Sequence, residues 1–452
     1  MAQPNSRDYQ FPTYHLGYPA LYCEACGSNN PLFNNDDINR LFHAKLENYH
    51  QAVTKRCPHC YSREKRRYGK TVKGTVRWQC LSCRAVFSYK RPYINQLNKL
   101  AALADILFLY DDFKALTNEL AISDSTFYRL LTQLLFRLTE VTRSLEYSMF
   151  PIDIPMHITT QSIVLPCKNG RPKDEEAKLW GLVSSESNSG YILLDNLNYS
   201  QLTVSKESIY SNSEKEENIP RQDRLVDEIT LRYERFFKRT CFDKLKYCSG
   251  SVHSKKGHIL LPVVTAQIHF HELLHYFPKQ THYHYLEHEV FLRGACLTAF
   301  GKSISSGKSH LFYLVESQNA SISYPYQLQA TYCLGWWKNT WYEFYSPVNH
   351  SYRYLATLTP RNKLDQTQLS QLPATFYQSK HFIDYFNAVF KAERLSTLTP
   401  DTIQTLFSIF RIYYNYCYIN PQNQTAAQKL GIVNKRYTLS ELVMMNIDKD
   451  NA

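Results

Sequence analysis

No apolar run in this chain is long enough to cross a bilayer; the best stretch, near Ile259 to Ile268, is short and contains Pro262. The opening residues MAQPNSRDYQFPTYH lack the hydrophobic core of a signal peptide, so the expectation is an intracellular, reducing setting. Such a setting argues against disulfides and assigns paired cysteines to metal instead. Acidic residues are scarce at one end. Residues 1–100 hold 6 Asp and Glu against 16 Lys and Arg, so ten of the chain's +12 charges sit there. That asymmetry points to a head that binds a polyanion, with nucleic acid foremost, on a near-neutral body. A disordered composition is also missing. The 35 Tyr and 24 Phe among 452 residues supply a packed interior, and the length suits two to four structural units.

What is present begins with cysteine. The stretch CPHCYSREKRRYGKTVKGTVRWQCLSCRAVFSY carries two CxxC pairs separated by a basic loop. Each pair sets two thiolates on one tight knuckle, so Cys57, Cys60, Cys80 and Cys83 can close a tetrahedral structural zinc site. Around the knuckles stand Arg63, Lys65, Arg66, Arg67, Lys70, Lys73 and Arg77, interleaved with Tyr68, Trp78, Phe87 and Tyr89. Cations for phosphates and flat rings for stacking or packing suit a nucleic-acid backbone; a solvated face on a purely structural zinc domain is the plainer alternative. Upstream, Cys23 and Cys26 form a third pair whose partners the spacing leaves open.

Beyond the ribbon, Tyr93 to Leu109 reads as an amphipathic helix. DDFKALTNELAISDSTFYRLLTQLLFRL then reads as helix, turn, helix, with the turn at Ala121 to Ser123 and a cap at Ser123 or Asp124. The second helix would present Ser125, Thr126 and Arg129 to a major groove. After two prolines, MHITTQSIVL and KLWGLVSSESNSGYILLDNLNYS read as strands, the latter a hairpin turning at Asn188 to Gly190. HILLPVVTAQIHF reads as a buried strand, Val290 to Phe300 as a helix, HLFYLVES as a strand and Thr402 to Tyr416 as a helix. In the histidine-rich stretch from His269 to His288, His271, Glu272 and His275 spell HExxH. On a helix that motif would set two imidazoles and a base around a zinc ion, but so many histidines make a chance match easy.

Three of these segments together resemble a bacterial insertion-sequence transposase with an N-terminal zinc ribbon and a DDE, ribonuclease-H-like core. YCEACGSNNPLF with YGKTVKGTVRWQCLSCRAVFS is similar to the ribbon, and SESNSGYILLDNLNY to a core hairpin. FRIYYNYCYINPQNQTAAQKLGI is similar to the closing signature, with Ala426 where Pro is usual. The resemblance implies a multi-domain chain: a zinc-ribbon domain over 1–90, a small all-α helix-turn-helix domain over 91–148, an α/β ribonuclease-H-like core over 149–395 and a C-terminal helical tail over 396–452. It also implies double-stranded DNA as partner, self-association, no membrane, and a nucleoid-associated place in the bacterial cytoplasm. An active core would hold Mg2+ or Mn2+ on three carboxylates.

The sequence departs from that pattern. Thr159, Thr160 and Gln161 stand where the first acid is due, and Glu287 or Glu289 is the weak candidate for the second. RYLATLTPRNK occupies the expected place of the third, on a helix, without Glu. Threonine cannot supply the negative charge that hard cations require. The expectation is a DNA-binding regulator or accessory factor with an inactive core. An active transposase using acids such as Asp153, Glu186 or Asp195, and a zinc hydrolase through His271, Glu272 and His275, are the alternatives.

Overall fold

The computed structural model describes residues 9–15, 18–23, 29–31, 41–43, 64–72, 76–88, 94–110, 112–149, 155–168, 177–200, 258–260, 262–277, 280–317, 320, 325–334, 339–358 and 364–445. A small antiparallel sheet comes first, β1 (Tyr9–His15), β2 (Tyr18–Cys23) and β3 (Asn29–Pro31). A second follows, β4 (Lys65–Lys70), β5 (Val76–Cys80) and β6 (Val86–Phe87). Helices α1 (Ile94–Ile106), α2 (Phe113–Glu119) and α3 (Asp124–Met149) come next. The chain then runs through β7 (Met156–Cys167), β8 (Ala177–Glu186), β9 (Ile192–Leu197), β10 (Tyr199–Ser200) and β11 (His258–Ile259). After these come α4 (Pro262–Tyr276), β12 (His282–Leu286), α5 (Val290–Ser305) and β13 (Ser309–Glu316). A meander of β14 (Gln327–Leu334), β15 (Asn339–Ser346) and β16 (Ser351–Thr357) follows. The chain closes with α6 (Gln366–Gln371), α7 (Tyr377–Val389), α8 (Ala392–Leu395), α9 (Pro400–Tyr416), α10 (Ala426–Lys429) and α11 (Leu439–Met444).

The α/β character expected from the sequence is present. The chain divides into two compact units. One holds Met1–Leu41, Asp153–Asp384 and Leu395–Asp401; the other holds Phe42–Ile152, Tyr385–Arg394 and Thr402–Ala452. Among the described residues no helix is long and apolar enough to cross a membrane.

The first unit is built on an eight-stranded sheet of order β14-β15-β16-β13-β12-β7-β8-β9. β7, β8 and β9 are antiparallel neighbours, whereas β12 runs parallel to β7 and β13 parallel to β12. The three-strand meander then extends β13 antiparallel. Parallel neighbours need a crossover, and α5 supplies the one between β12 and β13. On one face α4 packs against β8 and β9 and beside α5. On the other, Tyr285, Phe312, Leu314, Phe344 and Leu355 meet Leu369 and Phe376 in a continuous apolar cluster. Each such side chain, fully buried, contributes about 1.5–3 kcal/mol.

Two sequence expectations change here. HILLPVVTAQIHF is a strand only at His258–Ile259; from Pro262 it is helix, buried on every side through Phe270. A short apolar run has no periodicity that separates a core strand from a core helix, and Pro262 is well placed at a first helical position because its missing N–H is not needed there. RYLATLTPRNK holds no helix among its described residues: up to Thr357 it is β16, with Tyr352 and Tyr354 more exposed than the buried Arg353 and Leu355 between and beyond them. That alternation is the strand period.

In the second unit α1, α3 and α11 pack together, burying Leu100, Leu103, Leu134, Leu138, Leu442 and Val443. Arg137 secures the end of α11: its Nε donates to the Val443 carbonyl at 3.0 Å, its Nη2 to that of Met445, and its Nη1 pairs with Glu140 at 2.7 Å. A cation on terminal helix carbonyls satisfies acceptors the helix cannot use itself. Phe108 lies among Phe390, Phe410 and Tyr413.

Candidate functional site

The basic ribbon is a two-sided sheet. Arg67 pairs with Trp78 and Lys65 with Cys80, so these residues share one face; Arg66 pairs with Gln79 on the other. On the first face Lys65 Nζ lies 5.3 Å and the Arg67 guanidinium 6.0 Å from the Trp78 ring centre. On the second, Arg77 lies 5.8 Å from the Tyr68 ring, and Arg66 donates to Gln79 Oε1 at 2.9 and 2.7 Å. Rings under cations hold the charges outward without neutralising them. Arg66, Arg67, Lys70 and Arg77 are exposed.

Cys80 ends β5 and Cys83 lies in the turn toward β6. The Cys80 N–H donates to the Ala85 carbonyl at 3.0 Å, and Arg84 takes a left-handed conformation with φ 64°. Cys80 is buried and Cys83 exposed. A closed knuckle with two thiols is a donor set that fits half of a structural zinc site. Cys57, Cys60, Arg63 and Lys73 lie outside the described residues, as does Cys26; Cys23 ends β2.

The helix-turn-helix segment forms as its caps dictate. Asp112 accepts from the Lys114 N–H at 3.0 Å to start α2. Ala121 turns the chain with φ 50°, and the Ser123 hydroxyl accepts from the Thr126 N–H at 3.4 Å and donates to the Thr126 hydroxyl at 3.0 Å. Phe127, Leu130, Leu131 and Leu134 face inward. Ser125 and Arg129 are exposed and Thr126 half-buried at the start of α3, and Tyr128 beside them is 41% exposed. Sequence reasoning passed over Tyr128, because an aromatic residue among leucines reads as core.

In the core, the residues at the expected acid positions are engaged elsewhere. Thr159 Oγ1 lies 2.8 Å from Ser185 Oγ, and Thr160 Oγ1 lies 2.7 Å from Ser184 Oγ. Ser184 continues to His269 Nε2 at 2.7 Å, and Asn196 donates to Glu272 Oε2 at 2.7 Å and lies 3.1 Å from His269 Nδ1. This is a buried polar chain tying α4 to the sheet. Gln161 accepts from the Ser379 hydroxyl of α7 at 3.0 Å. The β7 residue that reaches Glu287 is Ser162, whose hydroxyl donates to Glu287 Oε2 at 2.6 Å. Burial pushes the Glu287 carboxyl up to about 7, with the Ser162 hydroxyl pulling the other way. Nothing in the sequence singles out Ser162; the contact arises because the chain turns as β12 ends, with the Glu289 N–H donating to the Glu287 carbonyl at 2.7 Å.

Glu289 stands at the start of α5 and makes no capping bond. Of the substitute acids, Glu186 accepts from the Ser189 N–H and hydroxyl, both at 2.6 Å, and so braces the β8–β9 turn. Asp195 is buried on β9, and Asp153 lies outside the described residues. His271 and His275 are on α4 as HExxH requires, but Glu272 is 3% exposed and held by Asn196. Among the described residues no three His, Cys, Asp or Glu side chains gather so as to hold a metal ion.

The chain matches no family model, no curated protein and no solved structure.

Proposed function

We propose that this chain is a DNA-binding protein of transposase-like build whose ribonuclease-H-like core does not hold the divalent-metal centre of an active enzyme. The observation that carries the reading is the strand order β9-β8-β7-β12-β13, three antiparallel strands continued by two parallel ones through helical crossovers. That is the arrangement expected of such a core, and it brings β7 beside the end of β12, where two of the three acids would meet. The side chains there do not fit Mg2+ or Mn2+: Thr159, Thr160, Gln161, Ser162 and Ser379 are neutral, and Glu287 is the one carboxylate among them. No step through such an ion follows.

The ribbon supports the DNA-binding half of the reading. Cys57 and Cys60 would join Cys80 and Cys83 around a structural zinc, which would stiffen the hairpin that carries Lys65, Arg66, Arg67, Lys70 and Arg77. These cations would lie along phosphates of double-stranded DNA, while Ser125, Thr126 and Arg129 would reach bases. Self-association accompanies this reading in the family it resembles.

A mobility-shift titration of duplex DNA across salt concentrations tests the proposal. If the five ribbon cations each neutralise one phosphate, the log–log slope should be about −4.5. A flat response removes the interface.

An active transposase is the second reading, and the presence of Glu287 at the end of β12 favours it. Strand cleavage that depends on Mg2+ or Mn2+ would establish it in place of the first. The zinc-hydrolase alternative would require Glu272 to leave Asn196 and the interior.

A further inference from the structure

Two central strands of the sheet, β7 and β12, are joined by backbone pairing and by the His157–Tyr285 side-chain hydrogen bond, and a further side-chain hydrogen bond lies where β12 ends. Ser162 on β7 donates to Glu287 just past β12 at 2.6 Å, and the Glu287 N–H extends the strand pairing to the Thr160 carbonyl at 3.4 Å. We propose that this Ser162–Glu287 contact is a lock that takes the place of a divalent-ion site, and that with Glu287 in place a carboxylate at position 162 is what the site lacks. The inference rests on the ribonuclease-H-like reading above.

A hard cation binds through one or two carboxylates and keeps several waters, so a second carboxylate beside Glu287 is the smallest change that makes a site. The hydroxyl of Ser162 already fills one lone pair of that carboxyl, and serine brings no charge to offset dehydration of the ion. The flanking candidates cannot take over: Thr160 points to Ser184 under α4, Thr159 to Ser185, and Gln161 to Ser379. Residue 162 is thus the β7 position whose side chain is already within bonding distance of Glu287.

The test uses the full chain and Mn2+ alone, followed by the free-ion electron paramagnetic resonance signal and by melting. Ser162→Asp should take up one Mn2+ per chain at least about tenfold more tightly than wild type, through the new carboxylate pair. Adding Glu287→Gln to that variant should abolish the gain. Two carboxylates in contact repel, so Ser162→Asp should melt lower than wild type in chelator and recover with Mn2+. Should the variant fold only when refolded with Mn2+, the proposal stands. Failure to bind Mn2+ in a folded Ser162→Asp, or failure of Mn2+ to restore an unfolded one, overturns it. So does wild type that holds Mn2+ and loses it in Glu287→Gln, since the lock would then not exclude the ion. Wild-type DNA binding, measured separately by mobility shift, reads the parent proposal and is independent of these outcomes.

Discussion

Glu287, a half-buried carboxyl, illustrates how one side chain ties stability to pH. Its folded carboxyl titrates at about 7 because burial disfavours the charge, whereas an unfolded glutamate titrates near about 4.3. Across that window the folded chain keeps a proton that the unfolded chain has released, so this residue lowers stability as pH rises. Glu316, half-buried and accepting from the Phe376 N–H at 2.8 Å, is pushed up to about 7 by desolvation and acts in the same direction. Histidines oppose the trend. Burial holds His157 and His282 down to about 4, and burial together with the neighbouring His282 holds His284 well below the ordinary imidazole range, so the unfolded chain binds protons first and stability falls as pH drops below about 6.5. Glu287→Gln keeps an acceptor for Ser162 and removes the titration. Its stability relative to wild type should therefore rise between about pH 5 and about pH 8, measured by urea unfolding at each end; a constant difference would contradict the raised titration of Glu287. Gly181 makes a steric prediction. A Cβ there would lie 2.7 Å from the Asn196 carbonyl oxygen and 3.2 Å from Leu197 Cα, both backbone atoms of β9. Gly181→Ala should cost about 1–3 kcal/mol by forcing β8 and β9 apart, read as a lower urea midpoint.

Helices α2, α6, α10 and α11 start where a side chain accepts from a backbone N–H of the first turn. α10 is four residues long and owes its place to a capping box: the Thr425 hydroxyl accepts from the Gln428 N–H at 3.2 Å, and Gln428 Oε1 accepts from the Thr425 N–H at 3.0 Å. Thr425→Ala should lose about 1 kcal/mol of stability, seen as a reduced unfolding midpoint. The turn between α2 and α3 holds Ala121 at φ 50°, where a Cβ is strained. Ala121→Gly should gain about 0.5–1 kcal/mol, and a loss on melting would show that the Ala121 methyl packs in a way its exposure does not suggest. The helix-turn-helix and the β8–β9 hairpin were legible from the sequence because local chemistry suffices: a serine cap, a left-handed turn, and Gly190 at φ 77° after Asn188. α4 was not legible. Its apolar residues face the sheet on one side and α5 on another, and a segment buried all round has no periodicity to read.

At the scale of the whole molecule, the N-terminal ribbon is tested through its metal. If Cys80 and Cys83 bind zinc with Cys57 and Cys60, Cys83→Ser should release about one zinc per chain and weaken duplex binding together, because binding and folding are coupled in small sites. Unchanged zinc content by elemental analysis would separate the knuckle from any metal. The paired cysteines, the surplus of cations over the first hundred residues and the helix-turn-helix are properties of neighbouring residues, and the amino-acid sequence by itself determined them. Which polar side chains of the core meet was decided only by the tertiary structure. Ser162 and Glu287 are 125 positions apart and become partners because β12 lies parallel to β7 and the chain turns where β12 ends. Sequence spacing carries no information about such a contact: the sheet's register sets it, and that register comes from apolar packing on both faces.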